Sequence, residues 1–186
     1  MKAGRSAVRC YCHMVCPVRQ DCPFVIRLAV FEDVDVIPEI QRRAGELFRE
    51  IGMASVADAE VLSRGLIIRY VEERRLWVYD DGAGPVAFII AGTVDDCAHI
   101  VQVSVVPERR GDRLGAALIN QVESWARSEG LRALTLTTFR DVPWNQPYYE
   151  RIGFGELRPQ PVLNSQTSLM RKPRNLIHSH ASQCGG

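Results

Sequence analysis

Between residues 99 and 139 the chain reads as strand, amphipathic helix, strand, and this run limits the fold more than any other part of the sequence. Residues 99–106 are rich in β-branched side chains. Residues 114–129 then carry Leu114, Ala117, Leu118, Val122 and Trp125 at helical spacing, with Gly130 positioned as a C-terminal cap. Residues 133–139 return to strand character. Two strands joined by a helix of that length pair in parallel through a right-handed crossover, because a tight turn cannot reverse the chain twice. An all-helical bundle and an all-antiparallel barrel are thereby excluded.

The rest of the chain builds outward from that unit. Residues 24–28 read as a strand. Asp35 is the expected N-cap of a helix over residues 36–49, which turns Val36, Ile37, Ile40, Ala44 and Leu47 to one side and carries Pro38 in its first turn, where no N–H is missed. Gly52 ends it. A second helix is expected over 56–73, followed by a strand at 76–79, a hairpin turn through Asp80, Asp81, Gly82, Ala83 and Gly84, and a strand at 85–91. After residue 139 come a short helix at 148–151, a turn at Gly153, and strands near 154–157 and 165–171. The pattern predicts an α/β (α+β) fold: a central, mixed, mostly antiparallel twisted sheet of about six or seven strands, with helices on both faces.

A length of 186 residues suits one domain. We place it at residues 24–171, between an N-terminal extension (1–23) expected to be poorly ordered and a basic flexible tail (172–186). The extension carries Lys2, Arg5, Arg9 and Arg19 against Asp21, and the tail carries Lys172 and Arg174 without an acidic residue, so the body between them is mildly acidic although the formal net charge is +1. That balance argues against a nucleic-acid partner, and no apolar run approaches the length of a membrane span. Cys10, Cys12, Cys16 and Cys22 cluster in the extension with His13. Their spacing lacks the paired knuckles of a zinc site, and no signal-peptide apolar core precedes them, so neither a metal nor a secreted disulfide module is expected, and the location is expected to be cytoplasmic.

The chemistry concentrates at residues 103–118. An Arg- and Gly-rich loop runs directly into a helix, where unpaired N–H groups and the positive end of the helix dipole favour an anion. It is neither a Walker A loop nor a dinucleotide fingerprint, since only Gly111 and Gly115 are present.

The string Val105-Val106-Pro107-Glu108-Arg109-Arg110-Gly111-Asp112-Arg113-Leu114-Gly115-Ala116-Ala117-Leu118 resembles motif A of the GNAT superfamily of N-acetyltransferases, V-x-P-x-x-[QR]-x-x-G-x-[GA]. About thirty residues later, Asn145-Gln146-Pro147-Tyr148-Tyr149-Glu150-Arg151-Ile152-Gly153-Phe154 is similar to that family's Asn followed by Y-E-x-[LI]-G-F. Element order agrees over roughly four-fifths of the chain. There are two departures. Arg113 stands where the family usually has a glycine, and Gln102 stands on the strand where an acidic general base is often found.

The resemblance implies the GNAT fold with its splayed parallel strand pair, and acetyl-CoA as co-substrate. Its pyrophosphate would lie on the amides of Arg109, Arg110, Gly111, Asp112, Arg113, Leu114, Gly115 and Ala116, and its pantetheine along Val103, Ser104 and Val105. Asn145 would hold cofactor amides or the helix entry. The implied activity is transfer of an acetyl group to a primary amine by direct attack in a ternary complex, with Tyr149 protonating the departing thiolate and Tyr148 ranked below it. For the general base, His99 leads Asp95, Asp96 and Glu50, with a water relay as the alternative. The first two helices should set acceptor specificity: Phe48, Ile51, Met53 and Trp144 are candidate apolar walls, and Glu46 or Glu50 would attract a cation. The acceptor is a small-molecule amine or a peptide or protein amine, with a homodimer allowed. The rival reading is a non-catalytic acyl-CoA-binding or regulatory module on the same fold.

Overall fold

The computed structural model describes residues 24–157 and 167–173. The cysteine cluster at residues 10–22, the extension at 1–23 and all of the tail beyond residue 173 lie outside them. Seven strands form one sheet in the order β1-β2-β3-β4-β5-β7-β6 among the described residues: β1 (Val25–Leu28), β2 (Leu76–Asp80), β3 (Pro85–Val94), β4 (Cys97–Val105), β5 (Ala133–Phe139), β6 (Gly155–Glu156) and β7 (Thr167–Pro173). Every neighbouring pair is antiparallel except β4 with β5. The strand–helix–strand reading therefore holds, with α4 (Leu114–Ser128) as the crossover. β7 continues through Pro173, pairing Lys172 with Leu134, so the last strand runs two residues into the segment expected to be tail.

The two faces of the sheet are buried by different helices. α4 lays Leu114, Leu118, Ile119, Val122 and Ala126 against Ala87, Ile89, Ala98, Ile100, Leu134 and Leu136. The four-residue spacing of 114, 118, 122 and 126 keeps one stripe inward. Truncating Leu118, which is fully buried, would cost about 2–5 kcal/mol, lost transfer energy and a residual cavity together. Gly130, at φ +74, takes the left-handed C′ position expected of it, and Leu131 N–H closes onto Ala126 O at 2.9 Å. On the opposite face, α1 (Ile37–Arg49) and α3 (Arg64–Glu72) bury Ile37, Ile40, Ile67 and Val71 with Val78, Phe88 and Ile90.

Three local expectations are corrected. Asp35 does not cap α1; the N-cap is Val36, without a side-chain hydrogen bond, and Asp35 instead pairs with Arg64. The single helix expected over 56–73 is broken into α2 (Ala54–Ala57) and α3, because Gln41 Oε1 on α1 accepts the Leu62 N–H at 2.9 Å and Ser63 then caps α3 by accepting from Leu66 N–H. Asp95 and Asp96 form a tight turn that extends both β3 and β4. Both adopt positive φ, +48° and +59°, as primed hairpin turns require and as Asp tolerates.

Candidate active site

β4 and β5 pair only at Ala98 with Leu134, His99 with Thr135, and Ile100 with Leu136. Beyond that point both strands continue, as Val101–Val105 and Thr137–Phe139, without pairing to each other, so the sheet opens into a fork. A bulge starts it. Opposite β3, Ile90 pairs with Gln102 and Ala91 with Ile100, leaving Val101 unmatched and 45% exposed. The extra residue switches the alternation, so Ala98 and Ile100 before it and Val103 and Val105 after it all lie on the α4 face.

The loop after β4 leads into α4 at the open end of the fork. Pro107–Arg109 forms one 3₁₀ turn, Gly111 turns the chain at φ +94°, and Arg113 is the N-cap of α4 in the left-handed conformation, φ +59°. A glycine would adopt that conformation without strain, which is the physical content of the departure at this position. Ala117 N–H is the first on α4 to close onto the loop, donating to Arg113 O at 3.1 Å. The N–H groups of Leu114, Gly115 and Ala116 therefore have no helical acceptor and form a donor set of the kind that binds phosphate.

The loop arginines are not equivalent. Arg109 is committed to the scaffold: it donates to Asp81 Oδ2 at 3.0 Å and Asp112 Oδ2 at 3.5 Å and lies over Phe24. Its guanidinium pins the loop to the β2–β3 turn and is not free for an anion, although its backbone remains in the cradle. Arg110 stands over the Trp144 ring at 5.3 Å. Arg113 is exposed and has no ion pair among the described residues.

α5 (Asn145–Arg151) forms the other flank. Asn145 is its first residue; its N–H donates to Val142 O at 3.0 Å. Tyr149 packs edge-on against Phe154 at 5.8 Å, and burial pushes its phenol up to about 12, so it keeps its proton. Its hydroxyl has no hydrogen bond among the described residues. Tyr148 lies beside it, ring centroids 5.2 Å apart, with its own hydroxyl over Gly115.

The base candidates separate. His99 occupies the paired stem of the fork, one residue before the split, and its Nδ1 lies 2.9 Å from Thr135 Oγ1. Burial pulls its pKa below the usual histidine value, which keeps the ring neutral. Asp95 and Asp96 lie in the turn before β4, at the opposite end of that strand from the loop, and Asp96 pairs with Arg132 at 2.9 Å. The length of β4 therefore separates both from the loop. Glu50 is exposed at the end of α1. Gln102 Nε2 donates to Ser104 Oγ at 3.1 Å, so the position where a carboxylate was expected is tied to its own strand.

On the side where the acceptor was expected, the structure brings Phe48 and Trp144 together, 6.5 Å between centroids, and adds Phe139, 5.7 Å from Phe48. The sequence reading missed Phe139. Its position at the end of β5 was the available signal, because the last residue of a splayed strand borders the opening. Glu46 is paired with Arg49 at 3.0 Å. No group of metal-ligating side chains occurs among the described residues, and no described helix is long and apolar enough to cross a membrane.

The family model for the Acetyltransferase (GNAT) family matches residues 29–154. Among solved structures, the chain is similar to the PaiA N-acetyltransferase from Thermoplasma acidophilum in complex with coenzyme A, at 16% identity and TM-score 0.70, covering 81% of this chain and 98% of that one. It is also similar to the ribosomal-protein-S18-alanine N-acetyltransferase from Escherichia coli, at 20% identity and TM-score 0.62 over 81% and 93%. A third, YncA from Salmonella typhimurium, a putative acetyltransferase with its cofactor acetyl-CoA, matches at 17% identity and TM-score 0.64 over 89% and 100%. At these identities the structural matches speak for the fold.

Proposed function

The chain belongs to the Acetyltransferase (GNAT) family, and from that premise we propose that it moves an acetyl group from acetyl-CoA to a primary amine by direct attack in a ternary complex. The observation that carries this reading is the fork. β4 and β5 separate after Ile100 and Leu136, and the unpaired N–H groups of Leu114, Gly115 and Ala116 stand at its open end.

These features fit the co-substrate. The donor set suits a diphosphate, and the unpaired edge at Val103, Ser104 and Val105 suits the amides of a pantetheine arm. Asn145 offers a side chain without a hydrogen bond among the described residues on the facing flank. Bound acetyl-CoA supplies an acyl group activated as a thioester. The protein holds both reactants in one groove, and that positioning provides much of the acceleration. An N–H of the Val103–Val105 stretch donates to the carbonyl oxygen as negative charge develops there.

Two protons move. His99, neutral at the base of the fork, takes one from the attacking amine through solvent. Tyr149, kept protonated by burial, gives one to the departing thiolate. The acceptor approaches across Phe48, Phe139 and Trp144, with Glu50 at the rim of α1 favouring a cationic amine.

The test is release of free thiol from acetyl-CoA across a panel of small amines, peptide N-termini and lysine peptides, beside direct measurement of acetyl-CoA binding. Turnover on at least one acceptor is expected. Tight binding with no turnover on any of them would overturn the catalytic reading.

A further inference from the structure

Gly115 is one of the residues whose amides the family resemblance places under a pyrophosphate, and the structure shows what fills the space beside it. A Cβ placed on Gly115 would lie 3.1 Å from the Tyr148 hydroxyl and 3.9 Å from Cζ. The phenol of α5 therefore fills the notch that glycine leaves in the first turn of α4. Its ring is held in place by Tyr149 and by the core beneath α4. The hydroxyl has no hydrogen-bond partner among the described residues, and it sits at the first turn of α4, whose Leu114, Gly115 and Ala116 amides also lack one. The hydroxyl is not sealed from solvent, so it and the three N–H groups make one accessible set of donors at the first turn of α4, complementary to an anion.

We propose that Tyr148 is a cofactor-binding residue, whose hydroxyl donates a hydrogen bond to a diphosphate oxygen of the acyl-CoA held on the first turn of α4. This rests on the acetyl-CoA reading above and assigns the two adjacent tyrosines to the two ends of the pantetheine arm. Successive helical residues point about 100° apart, so Tyr149 serves the thioester and Tyr148 the diphosphate. Burial raises the Tyr148 phenol above its ordinary range, with Arg151 opposing, so the group is a donor at neutral pH.

The test compares two acyl donors, acetyl-CoA and S-acetylpantetheine, which share the thioester and pantetheine arm, the second lacking the diphosphate and the adenosine attached to it. Dissociation constants are measured for the unchanged protein, Tyr148→Phe, Gly115→Ala and the double variant. A hydrogen bond to a charged oxygen corresponds to about a tenfold or larger change. Tyr148→Phe should therefore weaken acetyl-CoA binding about tenfold and leave S-acetylpantetheine unaffected. Among protein atoms a Cβ on Gly115 comes closer than an ordinary contact only to that hydroxyl, so Gly115→Ala should weaken acetyl-CoA binding by a larger factor in the otherwise unchanged protein than in Tyr148→Phe, the remainder being its direct crowding of the diphosphate. Equal losses on both donors would overturn the proposal by placing the hydroxyl at the thioester end. So would acetyl-CoA binding that neither variant alters. Failure of the unchanged protein to bind acetyl-CoA would overturn the parent reading and this one with it.

Discussion

The Lys172 ammonium on β7 donates to Glu123 Oε2 on α4 at 2.8 Å, with the two side chains only 14% and 10% exposed. The lysine stem lies on Gly153, directly after the helix that carries both tyrosines. A charge pair this far from water is held by its own complementarity. Removing the lysine leaves Glu123 buried with only the more exposed Arg127, 4.0 Å from its other carboxylate oxygen, to compensate it. Lys172→Met should therefore destabilise the fold by up to about 3 kcal/mol, read from chemical denaturation. Adding Glu123→Leu should restore most of that loss. Equal stability of the single and double variants would show that Glu123 is adequately solvated.

Arg113 holds a left-handed conformation that costs a residue with a Cβ about 1–2 kcal/mol. Glycine relieves that strain, partly offset by the greater freedom of the unfolded chain. Arg113→Gly should be more stable than Arg113→Ala by about 1 kcal/mol. Both lose the same charge, so the comparison isolates the backbone. If the alanine variant is as stable as the glycine one, the loop relaxes out of the strained conformation.

The contrast between Gly130 and Gly115 shows which parts of this molecule are legible in sequence. Gly130 ends a helix, a local event with a local signal, and the same holds for the Asp80–Gly84 turn and the α4 stripe. The break between α2 and α3 was hidden because a residue 21 positions away causes it, through Gln41 and the Leu62 N–H. Asp95 and Asp96 read as an acidic pair with candidate chemistry. Only the register of β3 against β4 shows them to be a turn. The fork depends on one unmatched residue, Val101, whose identity carries no signal. Similarly, the roles of Tyr148 and Phe139 depend on what lies across from them. The motifs pointed to the candidate site, and tertiary contacts set what each of its side chains faces.

His99 supplies a pH dependence whose sign follows from burial. Its ordinary value is 6.5 and the folded ring lies below it. An unfolded chain therefore takes up a proton that the folded chain refuses. Stability tied to the neutral ring is complete above about pH 6.5 and is lost as pH falls through the lowered value. Glutamine at this position can still pair with Thr135 but cannot titrate. His99→Gln should flatten the acid limb of thermal stability below pH 6.5, and should lower kcat by about 10² or more if His99 is the proton acceptor. An unchanged kcat with a flattened stability curve would leave the histidine structural and move the proton to solvent.

Tyr149→Phe tests the other proton. The substitution keeps the ring that packs on Phe154 and removes only the hydroxyl, so folding should be preserved. General acid catalysis is typically worth about 10²–10⁴ in rate. A thiolate leaves tolerably well unaided, and a phenol raised to about 12 is a weaker acid than free tyrosine, so the loss in kcat should fall near the lower end. Acetyl-CoA affinity should barely change, because the lost interaction is made only as the thiolate departs. This response is the opposite of that expected for Tyr148→Phe, which should act on affinity. Full turnover by Tyr149→Phe on an acceptor whose chemical step is rate-limiting would exclude Tyr149 as the proton donor.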